Sequence, residues 1–387
     1  MARRATQTSV ARAGSSPCPV HFLYVLTAPE DVSTIIRCRR AARRHSFVTL
    51  CLWRIKFEAI ALTAPILVGT CNWADHEDFY PEELERGRRQ RDKLSFYARY
   101  FPIVEIDTTF YGIPKPPVVA GWVDRTPDDF RFNIKAYRSL TGHERESGTP
   151  RPPTREEERD FLAALEPLRD GGKLTAVHYQ FPPWFTNRPA ARESLLAARE
   201  RHPDDIVAIE FRHRSWFEGN AWPETEELLR ELDFVYVGVD APQIGSATAP
   251  PHLAITSRRL CIARFHGRNW RTWYKRGETS GDRFDYLYRA EELQEWVPAI
   301  RAASEQDVPV HVLMNNNRSN YAVVNAFDVA ALLGSPLPRP PEPILATLRA
   351  RDGREPDWVA RSPDPPEVRP ADADADGEEE DQLSLRL

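Results

Sequence analysis

The stretch Val104 to Pro114 sets Glu105 and Asp107 on one side of a two-residue alternation and Val104 and Ile106 on the other, the period of an extended strand. Gly112 and Pro114 end the run, so Asp107, Thr109 and Tyr111 collect near its C-terminal end. A carboxylate taken out of water is costly unless paired, so the rest of the chain is expected to supply partners. The same alternation recurs. Arg131, Asn133 and Lys135 oppose Phe132 and Ile134, while His178 and Gln180 oppose Val177 and Tyr179. Glu210 and Arg212 oppose Ile209 and Phe211, Asp240 opposes Val237 and Val239, and Arg264 and His266 oppose Phe265. The carboxylates Glu105, Asp107, Glu210 and Asp240 thus meet the cations Arg131, Lys135, Arg212 and Arg264 on one polar face, in balance.

Such a face suits acid/base chemistry on a small anionic or phosphorylated substrate. Glu210 is the expected general base or nucleophile, because burial raises a carboxylate's pKa toward neutrality. His266 is the expected proton donor, with Asp107, Asp240 and Lys135 in the same catalytic group; Lys135 reads either as a salt-bridged cation or as a Schiff-base former. Arg212 and Arg264 would hold the anionic group. Gln180, Asn315 and Asn316 offer amides to orient it, and Tyr111 and Trp270 offer aromatic contacts. No cofactor is expected on this reading.

Two alternatives use other chemistry. A divalent metal on Glu210, Asp240 and His266 would make a phosphodiester hydrolase, although arginines on the same face oppose a cation there. A binding module would use the loop 268–288, where Trp270, Trp273, Tyr274, Phe284, Tyr286 and Tyr288 interleave with Arg268, Arg271, Lys275, Arg276 and Arg283. Rings beside cations suit a nucleotide or a single-stranded nucleic acid. The structural account of the polar face is a charge-balanced network that only fills the interior, a costlier filling than apolar layers.

The elements that must position these groups follow from periodicity. Extended segments are expected at Ile66–Thr70, Ile103–Asp107, Phe130–Lys135, Leu174–Phe181, Ile206–Phe211, Phe234–Asp240, Leu260–His266 and Val308–Met314. Helices are expected at Glu82–Phe101, Pro116–Arg125, Thr154–Leu168, Pro189–Arg201, Pro223–Leu232, Ala290–Ala303 and Asn320–Leu333. Thr154 with Glu157 makes a capping box for the third of these. The Pro-rich stretch Ala241 to Pro251 gives no helix after the sixth strand. Strands alternating with helices in this way predict an α/β chain folded as a parallel (β/α)8 TIM barrel over 65–334, with an open doubly wound sheet as the alternative. Barrel enzymes carry reacting groups at the strands' C-terminal ends, where Asp107, Lys135, Gln180, Arg212, Asp240, His266 and Asn316 fall.

The flanks differ in character. Residues 1–63 read as an extension, largely disordered or spurious, with a short helix around Ala41 to Ile60; 335–387 reads as a Pro-rich then acidic tail, largely disordered, with a docking piece at Ile344 to Leu348. Eight arginines precede position 45, and seven acids fall within Asp372 to Asp381. A net charge of -5 over 387 residues argues against generic polyanion binding by the whole surface. The five cysteines show no metal or CxxC spacing, and apolar runs are too short to span a bilayer. A cytoplasmic protein without membrane contact is expected.

These segments resemble the YecE-like family (domain of unknown function 72), which has a TIM-barrel fold. The resemblance rests on Gly69 to Trp73 with Phe79, Tyr80 and Pro81, on Val104 to Tyr111, and on Phe132 to Lys135. It continues through Gln180 to Pro183, Glu210 to Trp216, Arg264 to Gly267, and Asn315 with Asn316. Departures are Cys71 where Ser is usual, Asp107 where Asn is frequent, and Met314 where Phe is usual. The resemblance implies the barrel, and it brings no reaction with it.

Overall fold

A computed structural model describes residues 63–366 apart from 77, 86–92, 275–279 and 336. The expectations placed on 1–62 and on the acidic end of the chain lie outside the described residues. Eight parallel strands close into one barrel: β1 Ile66–Cys71, β2 Ile103–Ile106, β3 Arg131–Lys135, β4 Leu174–Gln180, β5 Val207–Glu210, β6 Phe234–Asp240, β7 Cys261–Phe265 and β8 Val310–Met314. They lie in chain order, and β8 pairs with β1 from Ile66 opposite Val310 to Thr70 opposite Met314. The open sheet is excluded by that closure.

Alternation divides each strand as its side chains require. Val104, Ile106, Phe132, Ile134, Val177 and Tyr179 point outward into the core shared with the helices. Ile103, Ala176, Ala208 and Ile262 point inward and form an apolar layer. Two residues further along the same strands come Glu105, His178, Glu210 and Arg264, and two further again, at the last residue of a strand or just past it, Gln180, Asp107, Arg212 and His266. The interior is therefore layered as apolar floor, charged middle and polar mouth.

Strand β6 breaks the expected parity. Val235, Val237 and Val239 belong to the inner cluster, whereas Phe234 and Tyr236 join the outer core, so Asp240 faces outward and not into the barrel. The reason is volume: two large rings on one side of β6 need the wide outer layer, which leaves the valines for the narrow interior. No helix follows β6, as expected, and the loop after it covers the strand's outer face. Thr256 Oγ1 accepts from Tyr236 N at 2.8 Å and donates to Phe234 O at 2.6 Å. A Cβ on Gly238 would stand 2.6 Å from the backbone oxygen of His252. Gly238→Ala is expected to lose about 1–3 kcal/mol by forcing loop and strand apart, read as a lowered urea midpoint.

The helices are α1 Glu82–Glu85, α2 Lys93–Tyr97, α3 Pro116–Asp124, α4 Arg155–Asp170, α5 Pro189–Arg201, α6 Ala221–Glu231, α7 Ala290–Gln294, α8 Val297–Glu305, α9 Tyr321–Leu333 and α10 Glu342–Asp352. The capping box of α4 forms as expected: Thr154 Oγ1 accepts from Glu157 N, and Glu157 accepts from Thr154 N at 2.8 Å. The single helix expected at Ala290–Ala303 is split between α7 and α8 at Glu295 and Trp296. Ordered structure also continues past 334, where a largely disordered tail was expected. The docking piece at Ile344–Leu348 is the buried side of α10, and Arg351 beyond it reaches Asp328 of α9 at 2.5 Å. Among the described residues no helix is long and apolar enough to cross a membrane.

Candidate functional site

The charged middle layer is a closed ion network. Arg264 donates from Nη1 to Glu210 Oε2 at 2.5 Å and from Nη2 to Glu105 Oε1 at 2.6 Å. His178 sits between the same two carboxylates, with Nδ1 3.1 Å from Glu105 and Nε2 3.3 Å from Glu210. Arg212 Nε closes onto the other oxygen of Glu210. All of these side chains are buried. Burial alone would raise Glu105, yet Arg264 and His178 outweigh it and hold the carboxyl at about 2. Burial likewise pushes Glu210 up, and Arg212 and Arg264 together pull it well below the usual carboxylate range. The expectation that burial would tune Glu210 toward neutrality therefore fails, because two guanidiniums stand against one carboxylate. Cys71 faces this network with Sγ 3.3 Å from Arg264 Nη2, and burial raises its thiol well above normal.

The mouth is different. Lys135 ends β3 just past the Ile106–Ile134 pair, and Asp107, the residue after β2, turns out of the strand with helical backbone angles into the short turn that follows; the two groups are close enough to act on each other's charge. Burial pushes Asp107 up to about 6, with Lys135 lowering it and Glu105 and Asp75 raising it. Burial and then Arg264 lower the Lys135 ammonium, which lies 4.7 Å over the Phe110 ring. Phe110 is held by a short turn, Thr108–Phe110, whose Thr109 hydroxyl donates to Lys135 O at 2.6 Å. Among the described residues, neither the Asp107 carboxylate nor the Lys135 ammonium has a hydrogen-bond or ion-pair partner.

Across the mouth, Arg212 Nη2 donates to Gln180 Oε1 at 3.2 Å and to His266 Nε2 at 3.0 Å, and its guanidinium lies 5.6 Å from the Trp273 ring. Asn315 Nδ2 is 2.8 Å from His266 Nδ1. Burial, followed by the charge of Arg212, drives His266 down to about 3. A ring held that low is uncharged near pH 7, so His266, expected as the proton donor, meets the mouth as a neutral imidazole.

Of the residues singled out from the sequence, Asp107, Lys135, Gln180, Glu210, Arg212, Arg264, His266 and Asn315 converge on the interior and mouth of one barrel. Tyr111 lies at the rim, 41% exposed. Three others do not converge. Asp240, on the outer face, takes hydrogen bonds from Arg268 Nε at 2.9 and 3.2 Å and Nη2 at 2.7 Å, one from Tyr288 Oη at 2.8 Å and one from Trp296 Nε1 at 2.8 Å. Asn316 donates to Tyr286 O and to Asn325 Oδ1, fastening the loop to α9. Trp270, 63% exposed, edges a separate groove of about 550 Å³ beside Pro242 and Ile244. The alternative metal set of Glu210, Asp240 and His266 is split by the sheet, because Asp240 faces away from the other two. Among the described residues no group of three or more His, Cys, Asp and Glu is placed to hold a metal ion. In the loop 268–288, Trp273 and Tyr288 are buried and Arg268 is bound to Asp240 and Glu295, while Lys275 and Arg276 lie outside the described residues.

Sequence reasoning missed His143. It stacks edge-on to Phe110 at 4.8 Å, and burial with the charges of Lys135 and Arg212 lowers it to about 3. It sits in a loop without periodicity, so no local pattern signals it. Trp273 was visible only as one ring of an aromatic run, and its neighbour Trp270 was preferred. Burial was the missing information.

Comparison with known proteins places this geometry. The model of the family described as "Protein of unknown function DUF72" matches residues 67–345. The chain is similar to UPF0759 protein YunF of Bacillus subtilis (strain 168), 35% identical over 272 residues, which is 69% of this chain and 94% of that protein. It is also similar to UPF0759 protein YecE of Escherichia coli (strain K12), 55% identical over 42 residues, 11% of this chain and 15% of that one. A DUF72 family protein of Enterococcus faecalis V583 superposes with a TM-score of 0.62 at 30% identity, over 70% of this chain and 95% of that chain. One from Thermotoga maritima MSB8 gives 0.60 at 30% identity, over 70% and 99%. Family match, sequence relatives and barrel agree: the chain belongs to the DUF72 family, the YecE-like proteins, and has their TIM-barrel fold.

Proposed function

We propose that this protein is an enzyme that performs acid/base chemistry on a small anionic substrate at the C-terminal mouth of the barrel. Asp107 exchanges the proton, and Lys135 with Arg212 attracts the anion. A single observation carries the reading: among the described residues Glu105, His178, Glu210, Arg212 and Arg264 pair with one another, whereas the nearby Asp107 and Lys135 have no hydrogen-bond or ion-pair partner. Their environments move them toward each other, a carboxyl raised to about 6 and an ammonium lowered, the direction that suits proton transfer near neutral pH. Glu210, with Glu105, His178 and Arg264, is the scaffold beneath.

The reading makes a linked prediction. A native carboxyl that keeps its proton to about pH 6 binds more protons than its unfolded counterpart, which titrates near 3.8, so wild-type stability falls as pH rises between these values. Asp107→Asn removes that loss and is expected to gain up to about 3 kcal/mol above pH 7, at about 1.4 kcal/mol per pKa unit, while abolishing turnover. Urea midpoints at pH 4, 6 and 8 check the stability. A thermal-shift screen of small phosphates and carboxylates tests the ligand class: binders are expected, weakened at least about tenfold by Lys135→Met. A wild-type protein that binds no small anion, or a Lys135→Met protein that binds them equally well, overturns the proposal.

A further inference from the structure

We infer that Lys135 forms a covalent imine with its substrate, which is therefore a carbonyl compound that also carries an anionic group. The inference rests on the acid/base reading of the same mouth and names the electrophile that reading leaves open.

Composition already sets Lys135 apart. Of 52 basic residues only six are lysine, so the chain uses arginine almost wherever it needs a positive charge. Arginine cannot lose its proton in a protein, whereas lysine can become a free amine. Two buried lysines show what a structural role looks like. Lys173 Nζ donates to Val123 O and Thr126 O, both at 2.7 Å, and Lys93 Nζ donates to Ala74 O at 3.2 Å. Among the described residues the Lys135 amine has no such acceptor; it lies over the Phe110 ring at the end of β3, in a half-buried residue. Desolvation with a cationic neighbour, here Arg264, is the setting that frees a lysine's lone pair. Asp107 beside it supplies the carboxylic acid that imine formation needs, and Arg212 supplies a cation for the substrate's anionic end.

The step balances without any further reagent. The neutral Nζ adds to the carbonyl carbon as the C=O π bond opens, and the nitrogen's surplus proton passes to the oxygen to give a carbinolamine. Asp107 in its acid form protonates that hydroxyl, the C–O bond breaks, and water leaves. A protonated imine remains beside the Asp107 carboxylate, which is placed to take or return a proton at the carbon next to the imine. Hydrolysis by the reverse sequence frees the lysine. No atom is oxidised or reduced.

The test is reductive trapping on the wild-type protein at pH 7, with cyanoborohydride and, in separate reactions, pyruvate, glyceraldehyde 3-phosphate and uncharged glyceraldehyde. Adducts are mapped by peptide mass spectrometry, and exposed Lys115 serves as the internal standard. The expected result is one adduct per chain on Lys135, formed at least about tenfold faster than on Lys115 with an anionic carbonyl and slower with the uncharged one. Asp107→Asn should slow the trapping while leaving Lys115 unchanged. Trapping at Lys135 no faster than at Lys115 with every probe overturns the inference. If the anionic probes nevertheless bind in the thermal-shift screen, only the imine is lost and the acid/base reading stands. If they neither bind nor trap, both are lost.

Discussion

Arg264→Ala is expected to destabilise the barrel by about 3–5 kcal/mol, the range for removing one partner from a buried charge cluster. Arg264 serves two carboxylates at once, at 2.5 and 2.6 Å, and its loss leaves Glu105 with His178 in contact and the more distant charge of Lys135. The size is consistent with the titration of Glu105: a carboxyl held at about 2 rather than 4.5 contributes about 3 kcal/mol at neutral pH. Its folded pKa is depressed, so that contribution is present above pH 4.5 and is lost as pH falls toward 2. The variant's deficit against wild type should therefore be largest at neutral pH and shrink on acidification. Urea midpoints at pH 3 and pH 7 measure both. A deficit below about 1 kcal/mol at neutral pH would show that the interior tolerates an unpaired carboxylate and that the network is not what holds the middle layer together.

Asp240→Ala tests the reversed strand. The substitution strands the Arg268 guanidinium, the Tyr288 hydroxyl and the Trp296 indole N–H, all of which converge on one carboxylate. Unpaired buried donors cost about 1–3 kcal/mol each, more for a charged one, and Arg268 can turn to Glu295, so a loss of about 3–4 kcal/mol is expected. Asp240→Asn, which accepts on one side only, should lose roughly half as much. Neither change should alter anion binding or trapping at Lys135, because Asp240 lies across the sheet from the mouth. Stability is read by denaturant midpoint and binding by thermal shift. An Asp240→Ala protein that is stable but has lost anion binding would return Asp240 to the catalytic set.

These expectations show where reading the sequence stopped. The alternation at Val104–Asp107 and at Arg131–Lys135 was legible because side-chain direction in a strand is a local property. The capping box at Thr154 and Glu157 was legible for the same reason. At Phe234–Asp240 the alternation was equally clear, yet both sides were plausible interiors, and only the space available to Phe234 and Tyr236 decided between them. The direction in which Glu210 titrates was misjudged on a different ground. Burial could be anticipated, whereas the sign of a pKa shift depends on which charges lie within a few ångströms.

From the sequence alone came the strands and their order, the barrel, the family resemblance, and the set of polar residues from which a site had to be drawn, since all of these follow from short-range periodicity and motifs. The tertiary structure decided how that set divides: Glu105, His178, Glu210 and Arg264 into a paired scaffold, Asp240 to the outside, and Asp107 with Lys135 into an unpartnered mouth. That division turns on contacts such as Arg264 with Glu105, which lie 159 residues apart, and no local pattern carries information about distances the chain creates only by closing on itself.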